Sequence, residues 1–261
     1  MKKLYICILC IFGCLLLTSC EKITIVNEVI NRVVNYEENI SILDFEDAIV
    51  EASSIAKKSV VGIITKSGVF QSESFGSGVV IKKEQINSEN YKYYVLTNRH
   101  VVGIGATMPS SVIYLGDKDK YVAKVETYDE KLDLAIISFE SARILDVANI
   151  STEKIEVGRF VIAVGNPYEI DNYYNSVTVG NISHLERYLK ERSTTGEEIK
   201  NKYIQHNAEI NSGNSGGGLF NIKGELIGIN TWKIVAEEVE GMAFAIPTTE
   251  FYEKYKTYFE N

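Results

Sequence analysis

The chain has 261 residues, of which 45% are apolar and 24% charged, the proportions of a globular protein long enough for one large domain or two small ones sharing a core. Its formal net charge of −8 argues against nucleic-acid binding, which needs a basic face, and otherwise speaks to solubility rather than to fold. The chain opens with MKK, the apolar run LYICILCIFGCLLL and the small-residue ending TSC. These are the three parts of a secretory signal over residues 1–19, shorter than an uncleaved membrane anchor needs.

The stretch LTSC, Leu17 to Cys20, resembles the bacterial lipobox, in which cleavage precedes the cysteine and its thiol is acylated. All 4 cysteines (Cys7, Cys10, Cys14, Cys20) lie in this segment, so cleavage leaves Cys20 alone. An exported domain without a cysteine pair relies on core packing, and a lone cysteine at a mature start is explained by a lipid. The expected setting is a bacterial membrane, with the chain anchored through Cys20 and facing away from the cytoplasm. Residues 20–43 read as a polar, β-branched tether. Ile23, Val26, Ile30 and Val33 have heptad-like spacing that Glu37 breaks, which leaves a short self-association helix as the sharper alternative.

From Asp44 the pattern predicts a helix capped by that residue, with Phe45, Ala48, Ile49, Ala52 and Ile55 on one face. The period then changes. VVGIIT, GSGVVI, YKYYVLTN, SVIYLG, KYVAKVETY, LDLAIISF, RFVIAVGNP, SVTVGNIS, KYIQHN, GELIGIN and GMAFAIP are short, rich in Val, Ile and Tyr, and bounded by turn formers. Such spacing predicts an all-β sandwich or barrel pair. A less strand-like stretch at 141–156 separates halves at about 58–140 and 157–247. TTEFYEKYKTYFEN reads as a closing amphipathic helix with Phe251, Tyr255 and Tyr258 on one side.

The run GNSGG, Gly213 to Gly217, fits the loose pattern of a nucleophile elbow. That reading needs a histidine downstream of Ser215, and the chain's 3 histidines, His100, His184 and His206, all precede it. A phosphate loop needs a lysine after the glycines, and none follows. What remains is a serine whose partners lie upstream. Its hydroxyl needs a base, and the base needs a third group to hold it. His100 sits where the strand YYVLTN ends. His206 reads as a half-buried structural histidine. Asp133 is acidic within an apolar strand pattern, and a buried carboxylate requires a donor such as an imidazole N–H. Asp117 and Asp129 lie in charged, turn-like settings and read as solvated.

In this order, TNRHVV, DLAII and GNSGG resemble the chymotrypsin-fold serine peptidases, most closely their HtrA/Deg branch. GSGVVI, VGNP, SVTVGNIS, GELIGIN and GMAFAIP agree in sequence order, and the resemblance covers about 44–250. It implies a peptidase domain over 44–261, all-β, with two six-stranded antiparallel barrels, a helix before the first and a C-terminal helix. It also implies a triad of His100, Asp133 and Ser215, and an oxyanion hole from Gly213, Asn214 and Ser215, with the N–H groups of Gly213 and Ser215 donating.

Glu209, six residues before Ser215, is placed near the floor of the pocket for the side chain before the scissile bond, where it would favour Arg or Lys, or else it faces solvent. Ile229, Asn230 and Thr231 are placed to pair with substrate backbone. Asn214 stands where the pancreatic branch has an aspartate that pairs with a new amino terminus, so activation of that kind is not expected. Arg99 stands where the branch usually has a second Asn. No PDZ module is expected between 250 and 261, and a homotrimer is implied only by analogy. The implied partners are polypeptides, with no cofactor and no metal, since no H-E-x-x-H motif occurs. The competing class is a protease-fold surface lipoprotein that binds or holds partners without turnover.

Overall fold

The computed structural model describes residues 42–70, 72–103, 109–116, 119–167, 173–192, 196, 198–231 and 241–260. The signal segment, Cys20 and the tether lie outside the described residues, as does Asp117. The chain divides into compact units at 1–47 and 48–261; of the first, only the opening turns of helix α1 are described.

Helix α1 spans Ile42–Lys57, so Asp44 lies in the first turn rather than at the cap, where its negative charge still complements the helix N-terminus. Ala52 and Ala56 are its buried residues. Ile55, expected on the buried face, is exposed instead.

Among the described residues seven strands follow: β1 (Val60–Ser67), β2 (Ser72–Gln85), β3 (Tyr91–Asn98), β4 (Ser110–Tyr114), β5 (Lys120–Val122), β6 (Lys124–Asp129) and β7 (Leu134–Ser141). They form one antiparallel sheet in the order β5-β4-β1-β2-β3-β7-β6. Its two edges, β5 and β6, are halves of one segment bent at Ala123, whose N–H bonds to the Ser111 carbonyl at 2.9 Å. Counting that segment once gives a six-stranded barrel that closes through a bend in the chain.

The second barrel holds β8 (Phe160–Gly165), β9 (Ser176–Arg192), β10 (Glu198–His206), β11 (Gly218–Asn221), β12 (Leu226–Thr231) and β13 (Ala243–Pro247). It is closed, in the order β10-β13-β12-β11-β8-β9. The stretch between β7 and β8 is zipped to both halves: Ala148 N–H bonds to the Val80 carbonyl at 2.9 Å, and Leu226 N–H to the Asn149 carbonyl at 2.7 Å.

Alternating apolar residues fill each barrel. Val61, Ile63, Val80, Val95 and Ile137 pack in the first, and Val161, Ala163, Ile204, Leu219 and Ala245 in the second. A third cluster joins the two, with Val79, Leu96 and Leu134 against Ile162, Phe220, Ile229 and Phe251. The barrels therefore share a core, so groups on facing strand ends are held in fixed relation.

The closing segment differs from the expected helix. It forms 3₁₀ turns at Thr248–Glu250 and Lys256–Tyr258. Phe251 and Tyr255 are buried as the pattern required, but β-branched and aromatic residues crowd this stretch and weaken a regular helix.

Candidate active site

Strands β3 and β7 pair antiparallel, with Asn98 opposite Leu134. The residues just past that pair on each strand therefore meet. Here the imidazole Nδ1 of His100 lies 2.7 Å from Asp133 Oδ2, and the His100 backbone N–H donates to Oδ1 at 3.2 Å. Two donors on two carboxylate oxygens fix the ring's position and make Nδ1 the protonated nitrogen, leaving Nε2 to face outward. The Asp133 side chain is 5% exposed and that of His100 41%, so the carboxylate is enclosed while the imidazole is open to solvent.

Asp133 sits at φ 55°, a left-handed conformation that Asp and Asn tolerate better than other non-glycine residues. Its carbonyl accepts from Arg99 N–H at 2.9 Å and from Asn98 Nδ2 at 3.1 Å. Upstream, Asp129 is not the solvated turn residue expected. It is 9% exposed and accepts from the N–H groups of Lys131 at 2.7 Å and Leu132 at 3.0 Å.

Ser215 is buried in the turn that leads into β11. The turn is tied down by its neighbours. Asn214 N–H bonds to the Asn211 carbonyl, Gly216 N–H to the Asn230 carbonyl, and Gly217 N–H to the Asn214 carbonyl, each at 2.9 Å. No hydrogen bond among the described residues uses the N–H of Gly213 or of Ser215. Buried N–H groups are nearly always paired, so two uncommitted donors beside a serine hydroxyl form a ready anion site. Ser215 Oγ is not hydrogen-bonded to the imidazole in this resting arrangement, a separation common before substrate tightens such sites.

Gly216, at φ +83°, brings the turn against the first barrel. A Cβ there would lie 2.2 Å from the Ser77 carbonyl and 2.2 Å from Thr97 Oγ1. Thr97 lies on β3 three positions before His100, so this close approach sets Ser215 beside the strand end that bears the imidazole.

The remaining sequence-derived positions fall elsewhere. Glu209 is exposed, with Asn211 Nδ2 donating to its carboxylate at 3.4 Å, and it does not sit in a buried pocket floor. Ile229 and Asn230 have no open edge for a substrate strand: β11 pairs with Ile229 on one side and β13 with both on the other, and the Asn230 N–H already bonds to the Gly217 carbonyl at 2.8 Å. Thr231 pairs with Phe244, and residues 232–240 beyond it lie outside the described residues. His206 is fully buried rather than half-buried. Burial pushes its pKa down to about 4, against smaller opposing effects of the Asn230 side chain and the Ala208 backbone. His184 is half-buried on β9 and accepts from Glu186 N–H through Nδ1 at 3.1 Å.

Residues 76–229 match the family model of the trypsin-like peptidase domain. The chain is similar to the serine protease Do-like HtrA of Bacillus subtilis, at 35% identity over 79% of this chain and 45% of that protein. It is also similar to a probable periplasmic serine protease do/HhoA-like of Haemophilus influenzae, at 38% identity over 67% of this chain and 34% of the relative. A solved HtrA-type protease, AlgW with a tripeptide, superposes with a TM-score of 0.62 at 30% identity, covering 82% of this chain and 64% of that one. The chain thus spans less than half the length of these curated relatives.

Proposed function

The chain belongs to the trypsin-like peptidase family, with HtrA proteases among its relatives, and from that premise we propose that it is a serine endopeptidase cleaving exposed or misfolded polypeptides outside the cytoplasm. The observation that carries the reading is the doubly held His100–Asp133 pair, combined with two free N–H donors at the Ser215 turn.

The chemistry follows from those groups. Ser215 Oγ attacks the peptide carbonyl carbon as His100 Nε2 takes the hydroxyl proton. The carbonyl oxygen becomes an oxyanion between the N–H groups of Gly213 and Ser215. Loss of one such donor typically costs about 2.7–4 kcal/mol of transition-state stabilisation. The imidazolium then hands its proton to the departing amine nitrogen, the C–N bond breaks, and an acyl-enzyme remains. Water, deprotonated by His100, reverses the sequence and frees the acid. Asp133 keeps the ring in the Nδ1-protonated tautomer and stabilises its cation.

Backbone pairing of substrate along Ile229 and Asn230 is not part of the reading, because β11 and β13 fill their edges. With Glu209 solvated, the reading carries no preference for Arg or Lys. Export and acylation at Cys20, with a membrane as the anchoring partner, belong to the same proposal and rest on the LTSC stretch. Assembly as a homotrimer rests on analogy with the HtrA branch alone.

The test compares the purified full chain with Ser215→Ala, using casein or peptide turnover and covalent labelling by a fluorophosphonate probe. The wild type is expected to turn over substrate and to label, and the variant to do neither. Equal turnover by both would refute the mechanism. A folded wild type that neither labels nor cleaves, beside a control peptidase that does, would favour the binding or holdase class.

A further inference from the structure

Ser77 lies on β2, in the first barrel, and is fully buried. It makes two bonds across to the turn of the second barrel. Its backbone N–H donates to the Ser215 carbonyl at 2.9 Å, and its hydroxyl donates to the Gly213 carbonyl at 2.7 Å. We infer that Ser77 is a positioning residue for the oxyanion hole, its hydroxyl locked into that single role by Asn166.

The direction of the hydroxyl bond is forced. A serine hydroxyl has one proton and two lone pairs. Asn166, fully buried, aims two donors at Ser77 Oγ: its backbone N–H at 2.8 Å and its Nδ2 at 3.2 Å. Both lone pairs are thereby filled, and the proton has only the Gly213 carbonyl to reach. Asn166 is held in turn, Nδ2 donating to the Val61 carbonyl at 3.0 Å and Oδ1 accepting from Asn175 N–H at 2.8 Å.

The consequence concerns three successive peptide planes. Each is anchored through its carbonyl: Gly213 by the Ser77 hydroxyl, Asn214 by the Gly217 N–H and Ser215 by the Ser77 N–H. A planar peptide whose carbonyl is fixed has its N–H fixed in the opposite direction. The Ser215 N–H is set by the middle plane. The Gly213 N–H lies in the preceding Ser212–Gly213 plane, which joins the first anchored plane at the Gly213 Cα, where φ is 99°. Two of the three anchors belong to Ser77 and hold the planes on either side of the one that carries the Ser215 N–H, so the first barrel, which carries the imidazole, also braces the donor turn of the second. Preorganised donors need that fixity, and a displacement of about 1 Å is enough to lose about 100-fold in rate.

The catalytic part of this inference rests on the endopeptidase reading; the clamp itself does not. The experiment therefore reads both, on the full chain, for wild type, Ser77→Ala, Ser77→Thr and a control, Thr65→Val. The control removes a buried hydroxyl pair in the same sheet, Thr65 with Ser111, away from the turn. Ser77→Ala is expected to speed amide hydrogen exchange in the peptide covering 211–218 and to lower kcat by about 10- to 100-fold, with KM within twofold. Ser77→Thr restores much of both, and Thr65→Val lowers the melting temperature without touching either. Unchanged exchange at 211–218 in Ser77→Ala overturns the clamp. Faster exchange with unchanged kcat overturns its catalytic role. A wild type without turnover sinks the endopeptidase reading, and the exchange comparison still decides the clamp.

Discussion

Lys254, in the segment that closes the chain, pairs with Asp129 at the head of the loop that carries Asp133. Burial works against the ionised form of Asp129, but the bonds from Lys254 and from the N–H groups of Leu132 and Lys131 outweigh it and hold the carboxyl below its usual range. Asp129 thus forms the loop by capping two of its amides, and the far end of the chain braces it. Asp129→Ala orphans both amides and is expected to cost about 1–3 kcal/mol in denaturant unfolding, with kcat reduced because Asp133 loses its frame. Lys254→Met should cost much less, since the lysine side chain is 54% exposed. Equal losses in the two variants would show that the ion pair, rather than the amide capping, holds the loop.

Asp133→Asn separates charge from backbone at the acid. Asn tolerates the φ of 55° found there as Asp does, so the melting temperature is expected to stay near that of the wild type. The tautomer control is lost, and in the related triad this exchange lowers kcat by about 10⁴-fold. Asp133→Ala adds backbone strain and should also destabilise. Steady-state kinetics beside thermal melts check both, and a kcat for Asp133→Asn within tenfold of wild type would remove Asp133 from the triad.

Gly216→Ala drives a methyl group into the Ser77 carbonyl and Thr97 Oγ1, each 2.2 Å from the added atom. Neither neighbour can yield cheaply, because Thr97 Oγ1 already donates to the Ser77 carbonyl at 2.6 Å. The barrels must part or the turn must unfold. Loss of turnover and a stability loss above about 3 kcal/mol are expected. A well-folded, active variant would mean that the inter-barrel approach at this turn is loose.

The sequence pattern located the strands, and it singled out His100, Asp133 and Ser215 as candidates, because each signal is local: alternation along a strand, a histidine at a strand end, glycines around a serine. Residues whose role depends on distant contacts were misread or left without a role. Asp129 looked like a solvated turn because Lys254, which helps to pair it, lies 125 positions away. Ser77 and Asn166 appeared only as letters within GSGVVI and VGNP. The Gly213 carbonyl that gives Ser77 its purpose is 136 positions off. Ile229 and Asn230 were placed at a substrate edge because no periodicity reveals that β11 and β13 flank them. The closing segment has the right apolar face but not the helix, since that face follows from spacing while the hydrogen-bond pattern answers to β-branched and aromatic crowding.

His206 supplies a pH signature that owes nothing to catalysis. Its pKa falls to about 4 in the fold, chiefly through burial, against about 6.5 in an unfolded chain. Between those values the unfolded state binds a proton that the folded state refuses, so stability rises with pH across the window. The contribution is complete above about pH 6.5 and is lost progressively as the pH falls toward 4, amounting to about 3 kcal/mol at the full shift. The two proteins differ only at this ring, so the difference between variants isolates it. His206→Gln is expected to flatten the dependence between pH 6.5 and 5, where few carboxylates change charge. Parallel urea unfolding curves at pH 7.5, 6.5, 5.5 and 5.0 measure it. Equal slopes in wild type and variant would mean that His206 accepts its proton within the fold.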